Sequence, residues 1–417
     1  MIPLSPIDHV FTGIGAYPIE FVFAYGGRID PDRLAESLRR TIALFPAVAT
    51  RLVRLSREAY GLEPTDDGCV FEVAASPTRF ADAAERHAFV DAVETVEGEP
   101  LTRVRLTHTP DGSVLGLGLS HAVVDGFSYF HFLAAWSQVF HGKEIVPPFL
   151  DRRALQPGGA AQGTADPSGH GRPESLGMTG GLFLEERRPA ILRDRLRWTR
   201  RVFPRAELSA FLAEAQRDCP VRLSYNDVVA AWLWRTHVPQ WASATEDAAF
   251  LSCPVDLRRV LPGFPPAYFG CAVALANASI ERERLAAAPL AELARRVREA
   301  VAAIDEARAR QSLQVIDRLR RQGGLAALER LHVVHPRAGL LVTNLSRLPV
   351  RDIVFDAGPP VAFDILAPVE RCAVVLPAAD GLDVRICLPL SPRGTPIGRV
   401  PKGPQSQCPA ARARHGQ

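Results

Sequence analysis

One stretch constrains this chain more than any other: V-L-G-L-G-L-S-H-A-V-V-D-G-F-S-Y, from Val114 to Tyr129. Its opening run of Leu and Gly has the composition of a buried strand whose glycines let another backbone or a ligand approach closely. Gly126 suits a sharp turn. Phe127, Phe130, Phe132, Leu133 and Trp136 then continue as the apolar face of a helix. A histidine held where a buried strand gives way to a turn and a helix is well placed to act as a base, because its near-neutral pKa lets it take a proton and return it. The alternative for His121 is a hydrogen-bonded core histidine.

The spacing His-x-x-x-Asp alone is a weak signal, and the chain carries its own control. His87-Ala-Phe-Val-Asp91 repeats it inside A-D-A-A-E-R-H-A-F-V-D-A-V-E-T-V. That segment reads as a charged amphipathic helix over 81–97, where the pair would be an exposed i,i+4 contact. His87 is therefore expected to be structural. Only the second copy has a Gly-rich strand before it and a Gly after it.

The 417 residues are too many for one ordinary core and suit two domains. With 47% hydrophobic and 23% charged residues, the composition is that of a soluble globular protein. No apolar run is long enough to span a bilayer. The start, M-I-P-L-S-P-I-D-H-V, lacks the layout of a signal peptide, so a cytoplasmic protein is expected. The seven cysteines are scattered without a C-x-x-C pair, which argues against a zinc site or a disulfide framework; no metal is expected. The net charge is +3, and the five basic residues from Ser391 onward account for it, since +3 − 5 = −2. A nucleic-acid role is accordingly not expected. Heavy use of Arg, Ala and Pro is the mark of a GC-rich genome, such as a bacterium's.

Along the chain, residues 2–9 read as an extended start and Tyr17 to Ala24 as a strand. Asp30-Pro31 opens a helix with Leu34, Leu38, Ile42 and Phe45 at helical spacing, stopped by Pro46. Strands are expected at 52–55, 70–73 and 101–108, the last turning through Asp111-Gly112 into the motif strand. Residues 156–190 are rich in Gly, Pro, Ser and Ala and read as a crossover. A strand at 197–203, a helix at 204–215 and an apolar helix capped by Ser224 follow. A strand at 254–259, an amphipathic helical region at 282–332 and strands at 371–377 and 382–388 complete the pattern. Beyond Leu388 the chain is rich in Pro, Gly and Arg and cannot bury enough apolar surface to order itself.

His121-Ala-Val-Val-Asp125-Gly126 resembles the HxxxDG signature of the CoA-dependent acyltransferase superfamily, which includes the BAHD acyltransferases and the condensation domains of peptide synthetases. The resemblance to the BAHD branch runs along the chain. The L-S-P-I-D opening and the helix L-A-E-S-L-R-R-T-I-A-L-F-P are similar to that branch's N-terminal segment. P-P-F-L-D-R-R-A-L (147–155) is similar to the stretch after its motif helix, and S-Y-N-D-V-V-A-A-W-L-W-R (224–235) to a later helix. In Y-F-G-C-A, Cys271 replaces the family's Asn. The second signature, D-F-G-W-G, survives only as Val354-Phe355-Asp356-Ala357-Gly358, which departs from the plant-type pattern.

The resemblance implies an α/β fold of mixed sheets, the two-domain chloramphenicol-acetyltransferase-like architecture with a channel between the domains. Here the N-terminal domain would be 1–155, the crossover 156–195, the C-terminal domain 196–390 and a disordered tail 391–417. It implies His121 as general base, Asp125 as an architectural residue beside Gly126, and an arginine partner for Asp125 on the second domain, for which Arg258 is the candidate. Thr343 or Asn344 would serve the oxyanion. The co-substrate would be acyl-CoA and the acceptor a small molecule carrying a hydroxyl or amine, with no bound cofactor. Two alternatives stay open: an enzyme that uses an acyl carrier protein, against which Ser120 counts because condensation domains favour a second His there, and an idle scaffold on the same fold.

Overall fold

The computed structural model describes residues 1–83, 86–157, 179–180, 189–328, 331–366 and 369–389. Most of the expected crossover and the whole expected tail lie outside the described residues.

Two mixed sheets frame the molecule. The first has the order Ala362–Ile365, Pro18–Tyr25, Gly112–Ser120, Thr102–Thr109, Cys69–Ala75. Its neighbours are antiparallel except the last pair, which is parallel. The strand Ala362–Ile365 comes from the C-terminal half of the chain and pairs with Pro18–Tyr25. The second sheet runs Val273–Glu281, Ala248–Asp256, Gly339–Asn344, Cys372–Ala378, Gly381–Pro389, Leu196–Pro204, with parallel pairing on both sides of Gly339–Asn344. This is the mixed α/β architecture that the family resemblance implies.

The motif strand, Gly112–Ser120, is buried along its whole length. Its odd residues, Leu115, Leu117 and Leu119, join Phe21, Phe23, Tyr129, Phe130 and Trp136 in one large core beneath the helix Gly126–Phe140. Its even positions, Gly116 and Gly118, face the other way. A Cβ at Gly116 would lie 1.9 Å from the carbonyl oxygen of Phe89, and one at Gly118 would lie 3.1 Å from that of Asp91. The glycines therefore admit the backbone of residues 89–93, which crosses directly over the strand. Phe89 and Val90 pack there with Val22, Val114 and Leu366 in a separate small cluster.

That crossing corrects the expected helix at 81–97. The described residues there form only short 3₁₀ turns, Phe80–Asp82 and Arg86–Phe89. An α-helix is too wide to lie against a sheet at backbone contact distance, so close approach wins over amphipathic spacing. Three further differences have local causes. The expected extended start contains a short helix, Pro6–Val10, closed by a capping box in which Ser5 and Asp8 satisfy each other's backbone N–H. The helical region 282–332 is broken into Arg282–Leu285, Leu290–Ala302, Glu306–Gly323 and Leu325–Leu328 at Pro289, at the new N-cap Asp305 and at Gly324, whose φ is 73°. The strand expected through residue 259 ends at Asp256 and turns 3₁₀ over Leu257–Arg259. No helix among the described residues is long and apolar enough to cross a membrane.

Candidate active site

Asp125 is the N-cap of the motif helix, its carboxylate accepting from the Ser128 amide at 2.8 Å. The same carboxylate also accepts from Arg258, with Nη1 at 2.7 Å and Nη2 at 3.2 Å, and from the Ala272 amide at 2.9 Å. Each oxygen thus has two donors. Arg258 fills its remaining capacity with Asp256, the Ser128 hydroxyl and the carbonyls of Tyr268 and Gly270. Both side chains are nearly inaccessible, 3% and 4% exposed, so neither charge is free to meet a ligand. Burial raises the Asp125 pKa, but Arg258 and the two amides outweigh it, and the carboxyl ends below its ordinary value.

A second buried ion pair, with roles the sequence reading did not assign, holds the other side of the motif. Arg152 pairs with Asp8 at 2.8 Å, both at most 1% exposed. Its guanidinium also donates to the carbonyls of Ala122 and Val123 at 2.9 and 2.7 Å. Asp8 in turn accepts from the Cys271 amide at 3.1 Å. Consecutive amides at 271 and 272 are therefore gripped by Asp8 and Asp125, and the four-residue turn between His121 and Gly126 is pinned from both ends. The available signals were the capping box S-P-I-D and the D-R of 151–152; nothing in either indicates that they meet.

His121 follows the motif strand with its ring in a defined slot. Phe11 stacks on it with centroids 4.0 Å apart and planes 14° from parallel, and Tyr17 meets it edge-on at 5.5 Å. The Sγ of Cys271 lies 3.8 Å from Nδ1. Burial lowers the His121 pKa below its ordinary value, while Asp125 partly opposes this, so the imidazole is neutral at neutral pH. Burial pushes the Cys271 thiol well up, so it is a neutral neighbour and no thiolate.

His121 forms part of the wall of a cavity of about 80 Å³ lined from both halves of the chain. Ile7, Phe11 and Tyr17 contribute from the N-terminal segment, Leu257 from the 3₁₀ turn after Asp256, Val273 from the second sheet's edge strand, Leu313 and Ile316 from the helix Glu306–Gly323, and Leu341 and Thr343 from the strand Gly339–Asn344. Asp125 and Gly126 also border it. A Cβ at Gly126 would lie 3.1 Å from Leu345, so this glycine lets the loop after Thr343 close on the motif. Of the two oxyanion candidates, Thr343 lines the cavity. Asn344 is exposed, donating to Asn226 at 2.9 Å and accepting from Ser346.

The remnant of the second signature lies elsewhere. Phe355 packs among Tyr25, Trp136 and Phe140, and Asp356 pairs with Arg33 at the start of the helix Pro31–Ile42. In this chain that segment braces the first sheet against its helices.

A protein with a histidine at the junction of two mixed sheets, a neighbouring carboxylate locked to an arginine of the other half, and an apolar cavity between them has the architecture of a CoA-dependent acyltransferase. Residues 1–393 match the model of the Transferase family, and the chain belongs to that family, the BAHD acyltransferases. It is 28% identical over 386 residues to hydroxycinnamoyltransferase 2 of Oryza sativa subsp. japonica, a match covering 85% of this chain and 83% of that protein. It is equally similar, at 28% over 385 residues and 84% and 82% coverage, to hydroxycinnamoyl-CoA:5-hydroxyanthranilate N-hydroxycinnamoyltransferase HHT1 of Avena sativa. Among solved structures, F. graminearum TRI101 complexed with coenzyme A and deoxynivalenol shares the fold, with a TM-score of 0.73 over 93% of this chain and 95% of that one at 14% identity.

Proposed function

We propose that the protein transfers the acyl group of an acyl-CoA thioester to the hydroxyl or amine of a small molecule, with His121 as general base. The observation that carries this reading is the imidazole of His121, held by Phe11, Tyr17 and Cys271 on the wall of a cavity lined by both halves of the chain. With Nδ1 against Cys271, Nε2 is the nitrogen left for proton transfer.

The acceptor's O–H or N–H gives its proton to Nε2 as the oxygen or nitrogen attacks the thioester carbonyl. The tetrahedral intermediate collapses by breaking the C–S bond, and the imidazolium returns the proton to the departing thiolate. With both substrates bound together, orientation supplies much of the acceleration and no acyl-enzyme is needed. Thr343, whose side chain lies on the same cavity, is the donor proposed for the oxyanion. Asp125 touches no reacting atom in this scheme; it fixes the turn that carries His121. The relative HHT1 is named for a hydroxycinnamoyl-CoA donor, which favours CoA over a carrier protein here.

The test is acyl transfer from a panel of acyl-CoAs to hydroxyl and amine acceptors, followed as free thiol released. Transfer should rise with pH along an acid limb whose midpoint lies below 6.5, because burial lowers the His121 pKa and only the neutral ring accepts a proton. His121→Ala should cut the transfer by about 10²–10⁴-fold and remove that limb. Undiminished transfer by a folded His121→Ala protein would end the general-base assignment.

A further inference from the structure

The cavity at His121 carries information about charge. Among the described residues that line it, the ionisable groups are His121, Tyr17 and Asp125. His121 is kept neutral by burial, and burial raises the Tyr17 phenol well above its ordinary pKa. Asp125 is charged, but all its acceptor positions are taken by Arg258, Ser128 and Ala272. Arg258, the guanidinium that holds Asp125, is as fully occupied. The rest of the wall is hydrocarbon, relieved by the hydroxyls of Ser312 and Thr343.

We propose that this cavity admits uncharged acyl and acceptor groups and rejects those bearing a carboxylate or an ammonium beside the reacting atom. This deepens the acyl-transfer reading and rests on it for what the two groups do. An ion entering such a site gives up its hydration without gaining an opposite charge. A neutral hydroxyl or a hydrocarbon chain loses nothing comparable, and burying it against Leu257, Leu313 and Leu341 is favourable. The relative HHT1 is named for 5-hydroxyanthranilate, an acid. The two proteins would therefore share a reaction and differ in the charge of the acceptor.

The test measures binding without turnover. Dissociation constants of 1-butanol, butyrate and n-butylammonium are determined at pH 7 by ligand-observed NMR on the full chain. The expected result is that 1-butanol binds at least tenfold tighter than either ion. Ser312→Lys adds a cation to the wall at a partly exposed helix position, and should bring butyrate to the level of 1-butanol or below. Thr343→Lys is the second variant, should the first not fold. Equal binding of butyrate or n-butylammonium and 1-butanol by the unaltered protein would overturn the inference, and so would failure of all three to bind. Selective binding of 1-butanol by a protein that transfers no acyl group from any CoA thioester would instead refute the functional reading and leave the charge selection standing.

Discussion

The chain contains two copies of His-x-x-x-Asp, and their surroundings separate a candidate site from a coincidence of spacing. In both copies the aspartate is bound to an arginine, Asp91 to Arg105 at 2.5 Å and Asp125 to Arg258 at 2.7 Å. In both, burial lowers the histidine's pKa. The copies part in what holds the backbone. His87 sits in a 3₁₀ turn leading into the segment that crosses the motif strand's glycines. His121 leaves the strand itself, and its turn is clamped by two buried ion pairs beside a cavity. The Asp91–Arg105 pair is about a quarter exposed on each side, whereas Asp125 and Arg258 are almost wholly enclosed. Spacing alone does not distinguish the two; desolvation and a cavity do.

The comparison breaks first if the two histidines prove interchangeable. Loss of a general base costs on the order of 10²–10⁴-fold in rate. His121→Ala should lose transfer on that scale, while His87→Ala should leave kcat/KM within about twofold in the same thiol-release assay. The aspartates come next. Asp125→Ala breaks the buried pair, leaving Arg258 only the partly exposed Asp256 as a counter-charge, and should cost about 3 kcal/mol of unfolding free energy in urea titration. Asp91→Ala, at a partly hydrated pair, should cost about 1 kcal/mol or less. Similar losses for the two would mean that enclosure does not set the worth of these pairs.

Much of this was legible beforehand, for identifiable reasons. The motif strand, its turn and its helix are contiguous, so composition and periodicity reveal them together. The helix Pro31–Ile42 was equally plain, from its Asp30 cap and the stop at Pro46. Arg258 came from family resemblance, since no local pattern links it to a carboxylate 133 residues away. The Asp8–Arg152 pair was beyond reach for the same reason: each residue stands in an ordinary local pattern, and only the closed fold brings them together. The helix wrongly expected at 81–97 shows the converse. Its charged spacing is real, but two glycines far along the chain decide its shape. The cavity's lack of free charge depends on the saturation of Asp125 and Arg258, which no sequence pattern expresses.

The pH dependence of stability sharpens the contrast further. Burial, with Arg193 and Arg197 nearby and Asp194 opposing, lowers His87 from 6.5 to about 4. Between those values the unfolded chain takes up a proton that the folded one refuses, so stability falls as pH drops from 6.5 toward 4. At 1.36 kcal/mol per pH unit the loss is about 3 kcal/mol. His87→Gln removes that proton and should flatten the corresponding part of the profile, measured as unfolding free energy between pH 7 and pH 4.5. A profile that keeps its full slope in this variant would place the acid sensitivity elsewhere, with His237, fully buried and also lowered to about 4, the first residue to examine.

The smallest effect tests the backbone contact that makes the first copy structural. In an ordinary strand Gly→Ala is stabilising, because alanine has less conformational freedom to lose. Here the sign should reverse. At Gly116 the new methyl would meet the Phe89 carbonyl, a backbone atom that cannot swing aside, so residues 89–93 must lift from the sheet. Overpacking of this kind costs about 1–3 kcal/mol. At Gly118 the closest atom, 2.9 Å away, is the Cγ2 of Val93, with the Asp91 carbonyl at 3.1 Å, so a side-chain adjustment absorbs part of the strain. Gly116→Ala should therefore lower the urea midpoint more than Gly118→Ala, with the m-value unchanged in both. Because the methyls point away from the core beneath the motif helix, transfer activity should fall by far less than in His121→Ala. A stabilising Gly116→Ala would show that the crossing segment does not rest on the strand, and the separation of His87 from His121 would then rest on the cavity and the enclosed ion pairs alone.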